Sequence, residues 1–144
     1  MSERIMSFRD LRVYQAAFKL QQRVFKTTKS FPREEIYFLT DQFRRASRSI
    51  GANISEAWQK RRYPASFVSK LSDSDGEQAE TQHWIGTAPA CDYISQAECN
   101  EMLAQCAEIG RMLGSMMAAP EKFCQVPPTS RPPPSTLRPP SSGS

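Results

Sequence analysis

Leu39, Phe43, Ala46, Ile50, Ile54 and Ala57 recur at steps of three and four between Phe38 and Arg62. That spacing puts them on one stripe of a 3.6-residue period and predicts an amphipathic helix over the span. A stripe of this width needs partner helices, and three further segments supply them. Ser7-Phe8-Arg9-Asp10 sets a cap residue three positions ahead of a carboxylate, a variant of the capping box, so a first helix is expected from Ser7 to about Ser30. Phe8, Leu11, Tyr14, Phe18 and Phe25, joined by Ala17, Leu20 and Val24, form its apolar side, which assigns these aromatic rings to the core. Phe31-Pro32 ends it, because the residue before proline is pushed out of the α region.

A third helix follows Arg61-Arg62-Tyr63-Pro64, with Ser66 as its lead-in and Phe67, Leu71, Trp84 and Ile85 as its apolar positions. Ser74, Gln78 and Thr81 stand on its inner side, where small or polar groups permit close approach or buried hydrogen bonds. Gly86 and Pro89 are expected to end this helix early, since interior proline costs about 3 kcal/mol. Ser95-Gln96-Ala97-Glu98 is a full capping box and opens a fourth helix running to Pro120. Met102, Cys106, Ile109, Leu113 and Met116 make its stripe, widened by Cys99, Leu103, Met112 and Met117. The pattern predicts an all-α protein, an antiparallel up-down-up-down four-helix bundle over residues 7–124. Residues 1–6 are expected as a flexible N-terminus and 125–144, mostly Pro, Ser and Thr, as a disordered tail.

Composition narrows the class without changing it. The chain has 144 residues, 39% hydrophobic and 24% charged, enough for one domain with a buried core. No apolar run is long enough to span a bilayer and the start, MSERIMSFRD, is too charged for a signal peptide, so a cytoplasmic location without membrane contact is expected. Cys91, Cys99, Cys106 and Cys124 show no C-x-x-C pairing, and in that compartment they read as reduced thiols. Asp73-Ser74-Asp75-Gly76 fails the calcium-loop register, because the frame that places Gly76 sixth has Leu71 first and Gln82 twelfth. The single His83 completes neither a zinc site nor a nucleophile–base pair. No phosphate-cradling glycine loop is present, so no enzyme activity and no cofactor are expected.

Charge adds a partner. Net charge is +4, but residues 1–70 hold 15 Lys and Arg against 6 Asp and Glu, while residues 71–144 hold 4 against 9. Such asymmetry fits either nucleic-acid binding by the basic half or internal pairing of basic with acidic helices. On the first reading, RNA or DNA is held by Arg44, Arg48, Lys60, Arg61 and Arg62, with Arg12, Arg23 and Lys26 of the first helix contributing. Tyr37 and Tyr63 flank the basic helix and are free to stack on unpaired bases. On the second, Arg45 and Glu80 are expected to form a buried ion pair, against the plainer reading of Glu80 as a solvated surface carboxylate.

SFRDL (7–11), FP (31–32), LTDQFRRASRSIGANISEA (39–57), GEQAETQHWI (76–85), DYIS (92–95) and IGRMLGSMMAAPEKF (109–123), in this order and spacing, resemble the four-helix-bundle family named for the 23S rRNA intervening-sequence protein. The resemblance covers residues 7–124. It implies an up-down-up-down bundle, often a homopentamer, with no known enzyme activity. A related branch, the accessory variability protein of diversity-generating retroelements, is a basic pentamer that binds nucleic acid and partners a reverse transcriptase. The chain departs from the family at Ala57 and Asp92, where glycines are usual, and at Pro89, where an apolar residue is. The expected function is that of a non-enzymatic, oligomeric nucleic-acid-associated bundle; the alternative is a structural or protein-interaction module whose charges serve assembly only.

Overall fold

The computed structural model describes residues 4–124, and the expectations for residues 1–3 and for the 125–144 tail lie outside it. Four helices carry the fold: α1 (Arg12–Thr28), α2 (Leu39–Gln59), α3 (Pro64–Ala90) and α4 (Gln96–Ala118). Single 3-10 turns stand at Phe8–Asp10, Arg33–Glu35 and Pro120–Lys122. Each helix packs on the next, and α4 returns against α1, the cyclic arrangement of an up-down-up-down bundle. There is no strand among the described residues.

The predicted stripes of α2 and α4 are the core. Leu39, Phe43, Ala46, Ile50, Ile54 and Ala57 are buried, as are Met102, Cys106, Ile109, Leu113 and Met116. Removing a ring such as Phe43 from water is worth about 1.5–3 kcal/mol. The inner face of α3 is polar as expected, and it is satisfied. Ser74 Oγ donates to the Ile50 carbonyl of α2 at 2.8 Å and Thr81 Oγ1 to the Glu77 carbonyl at 2.8 Å. Small side chains there let α2 and α3 pack intimately.

The first helix departs from the prediction in two ways. The capping box at Ser7 forms, with Ser7 Oγ accepting from the Arg9 amide and the Asp10 carboxylate accepting from the Ser7 amide, but it caps a 3-10 turn. Leu11 is then extended, and the α-helix begins only at Arg12. The buried positions of α1 are Val13, Ala17, Leu20, Val24 and Thr28, so the aromatic residues lie on its flank. Tyr14 and Phe18 follow Val13 and Ala17 by one residue, or about 100° of helix rotation. Phe18 is 46% exposed, whereas Phe43 of α2 and Phe67 of α3 are fully buried.

Helix α3 also overrides its prediction. It runs through Gly86 and Pro89 to Ala90. Proline at 89 cannot donate to the carbonyl of Ile85 four residues back. Cys99 of α4 fills the gap, its Sγ lying 3.7 Å from that buried oxygen. The helix then closes in a Schellman turn, with the Tyr93 amide donating to the Ala88 carbonyl at 2.9 Å and the Asp92 amide to the Pro89 carbonyl at 3.0 Å. Asp92 has φ 63° and takes the left-handed position of that turn.

At the other end of α2, the helix stops at Gln59, three residues short of the predicted Arg62. Arg61 folds back, Nε donating to the Trp58 carbonyl at 2.8 Å, so that a side chain satisfies one of the last free carbonyls. All four cysteines are free thiols; Cys99 and Cys106 are buried and Cys91 is exposed. Burial pushes the Cys106 thiol up to about 12.

Candidate nucleic-acid interface

Antiparallel packing sets the C-terminal half of α1 beside the first turns of α2. There Phe25, on the flank of α1, is surrounded by cations: Lys29 Nζ lies 4.7 Å from the ring centroid, the Arg44 guanidinium carbon 4.9 Å and that of Arg48 5.6 Å. Arg44 is held further by Nε donating to Thr28 Oγ1 at 2.7 Å, while Thr28 donates in turn to the Val24 carbonyl at 2.8 Å. Each cation–π contact is worth about 0.5–1 kcal/mol at an exposed site, enough to orient the guanidinium groups without neutralising them. No carboxylate pairs with Lys29, Arg44 or Arg48 among the described residues. The sequence reading named Arg44 and Arg48 but missed Phe25 as their platform and Lys29 as the third charge. The i, i+4 spacing of Phe25 and Lys29 was the available signal.

A shallow depression lies on either side of this cluster along the α1–α2 seam. One, of about 320 Å³, is lined by Thr28, Lys29, Phe31, Arg33, Thr40 and Arg44 among others. The second, of about 280 Å³, is lined by Phe8, Tyr14, Gln21, Arg48, Gly51, Ala52 and Ser55. Neither lining contains an acidic residue.

The remaining predicted residues are dispersed. Lys60 and Arg62 are exposed just past the end of α2, and Arg61 sits 3.6 Å over the Trp58 ring. Seventeen residues separate Arg44 from Arg61, roughly 25 Å of helix, so this is a second cluster at the opposite end of the bundle. Arg12 belongs to that end too, sharing a depression of about 430 Å³ with Arg111 of α4 and with Leu11, Val13, Met116 and Phe123. Arg23 is committed elsewhere, paired with Glu101 and donating to Gln105 Oε1 at 3.2 Å. Lys26 is exposed on α1. Tyr37 and Tyr63 are both exposed, 82% and 61%.

The buried Arg45–Glu80 pair does not form. Both residues are exposed, and Glu80 Oε2 accepts from Trp84 Nε1 at 3.0 Å, one turn along its own helix. Successive helical residues are about 100° apart, so Ala46 faces the core while Arg45 beside it does not. Between α2 and α3 the ion pair is instead Glu56 with Lys70, at 2.7 Å, with Asp73 3.6 Å from the same ammonium. The hydrogen bond and charge of Lys70 hold the Glu56 carboxyl below its usual range.

The family model described as 23S rRNA-intervening sequence protein matches residues 9–115. Among solved structures, the chain is similar to one from Bacteroides thetaiotaomicron, a protein with unknown function from the S23 ribosomal protein family. The two are 26% identical, with a TM-score of 0.67 over 74% of this chain and 95% of that one. No curated protein matches the chain.

Proposed function

The chain belongs to the 23S rRNA-intervening sequence protein family, and from that premise we propose a binding role without catalysis: association with RNA or DNA through the phosphate backbone at the α1–α2 seam. The observation that carries this reading is the gathering of Lys29, Arg44 and Arg48 on one ring with no carboxylate among them. Three like charges held this close repel one another, and a polyanion relieves the repulsion while releasing condensed counterions. Lys60 and Arg62 form a second contact at the far end of the bundle, and Arg23, already paired, contributes less. Phosphate contacts position without specifying, so sequence preference is slight. In this reading the protein acts as a ring of five copies, which multiplies the contacts, and a reverse transcriptase is a partner where the gene is retroelement-linked.

Fluorescence anisotropy with labelled RNA over a salt series tests the proposal. Replacing Arg44 and Arg48 together with alanine should weaken binding and flatten the slope of log affinity against log salt by roughly 1.4 to 1.8, two contacts' worth. Unchanged affinity and slope would remove the seam from the site and favour assembly as the purpose of the charges.

A further inference from the structure

We infer that the seam is built for an unpaired strand rather than a duplex, with the aromatic flank of α1 stacking exposed bases. The inference rests on the reading above, that the seam takes nucleic acid. Tyr14, Phe18, Gln21 and Phe25 follow one another at steps of four, three and four, so they line one side of α1. Tyr14 and Phe18 are stacked with centroids 6.2 Å apart and planes 28° apart, and Phe8 abuts Tyr14 edge-on at 4.8 Å. On the α2 side Gly51 faces this file, close enough that a Cβ there would stand in van der Waals contact with the Tyr14 ring, at 3.4 Å. Phe18 leaves 46% of its surface in solvent, and the groove lined by its stacking partner Tyr14 has Arg48 as its charged side chain.

That combination, rings in file along a basic groove, suits a single strand. Base–aromatic stacking needs a base with a free face, while cations along the groove follow the backbone. A duplex keeps its bases stacked within and would engage only the arginines and lysines. The lack of carboxylates in the groove favours a polyanion.

The test uses the full chain with two labelled probes at one salt concentration: an oligouridylate of roughly 12 nucleotides and a mixed-sequence RNA duplex of the same length. The expected result is tighter binding of the single strand. Phe18→Ala should weaken that binding roughly 5- to 100-fold while leaving duplex affinity and the solution mass unchanged, and Phe18→Trp should restore it. Equal affinity for both probes, with Phe18→Ala without effect on either, overturns this inference and leaves the phosphate reading standing. Failure of both probes to bind overturns the phosphate reading along with it. A drop in assembly mass on Phe18→Ala overturns the inference differently, by making the stripe an interface between copies.

Discussion

Tyr93 donates its phenolic hydrogen to Glu35 Oε2 at 2.7 Å, and the other oxygen of that carboxylate accepts from the Leu39 amide at 3.3 Å. One glutamate therefore joins the α3–α4 turn to the start of α2, while the Tyr93 ring packs on Phe31 with centroids 5.2 Å apart. The hydrogen bond to Glu35, helped by burial and by the carboxylate's charge, pushes the Tyr93 hydroxyl up to about 12 from an ordinary 10.0. A group whose value is raised on folding adds stability that is fully present below its unfolded value and disappears as pH climbs through the folded one. Melting temperatures of Tyr93→Phe and the parent should therefore differ at pH 9, the parent being higher, and converge as pH approaches about 12. A gap independent of pH would show that the hydroxyl acts through something other than this bond. Glu77 is a contrasting case, since burial, then the charges of Glu80 and Asp73, raise its carboxyl. The Glu35–Tyr93 pairing is not written in local spacing, since the two residues are 58 apart.

At the scale of the element, capping was the most legible signal. Both predicted boxes form, at Ser7 and Ser95, because each needs only residues three apart. Where helices end was less legible. Proline at 89 is tolerated because it stands in the last turn of α3, and because a thiol from α4 reaches the carbonyl that proline leaves free. Cys99→Ala should then cost about 1–3 kcal/mol by urea unfolding, the cost of a buried acceptor left unpaired. In a Pro89→Ala background, where an amide can take over, the same change should cost less. Equal costs in the two backgrounds would mean that Cys99 matters only for the space it fills. Asp92 extends the point: it occupies a left-handed position, where Asp is better tolerated than most L-residues, at the place where the family usually has glycine. The departure noted in the sequence thus keeps the turn.

For the whole molecule, the notable surface is the α1–α2 connection, where Ile36, Tyr37 and Phe38 are 49%, 82% and 67% exposed in succession. Contiguous exposed apolar groups mark contact surfaces more often than chance. This supports the assembly proposed above. Sedimentation at micromolar concentration should give a mass near five chains, and charged substitutions at Tyr37 and Phe38 should reduce it without unfolding the bundle. A parent protein that sediments only as a monomer would end the five-copy reading. No helix of the described residues is long and apolar enough to cross a membrane.

The sequence by itself determined the class, the four helices, and the buried faces of α2 and α4, since each of those follows from periodicity and capping within a few turns. It also showed which half of the chain is basic. Tertiary structure decided what those charges meet. It narrowed the buried strip of α1, adding Val13 to the expected Ala17, Leu20 and Val24 and leaving Tyr14 and Phe18 beside the groove, because a bundle interior admits only the strip of each helix that faces its two neighbours. It brought Phe25 under three cations, withdrew Arg23 to Glu101, and left Arg45 in solvent. Those outcomes depend on how helices far apart in sequence are turned toward one another, and a periodic pattern fixes that angle only to within the width of its apolar stripe.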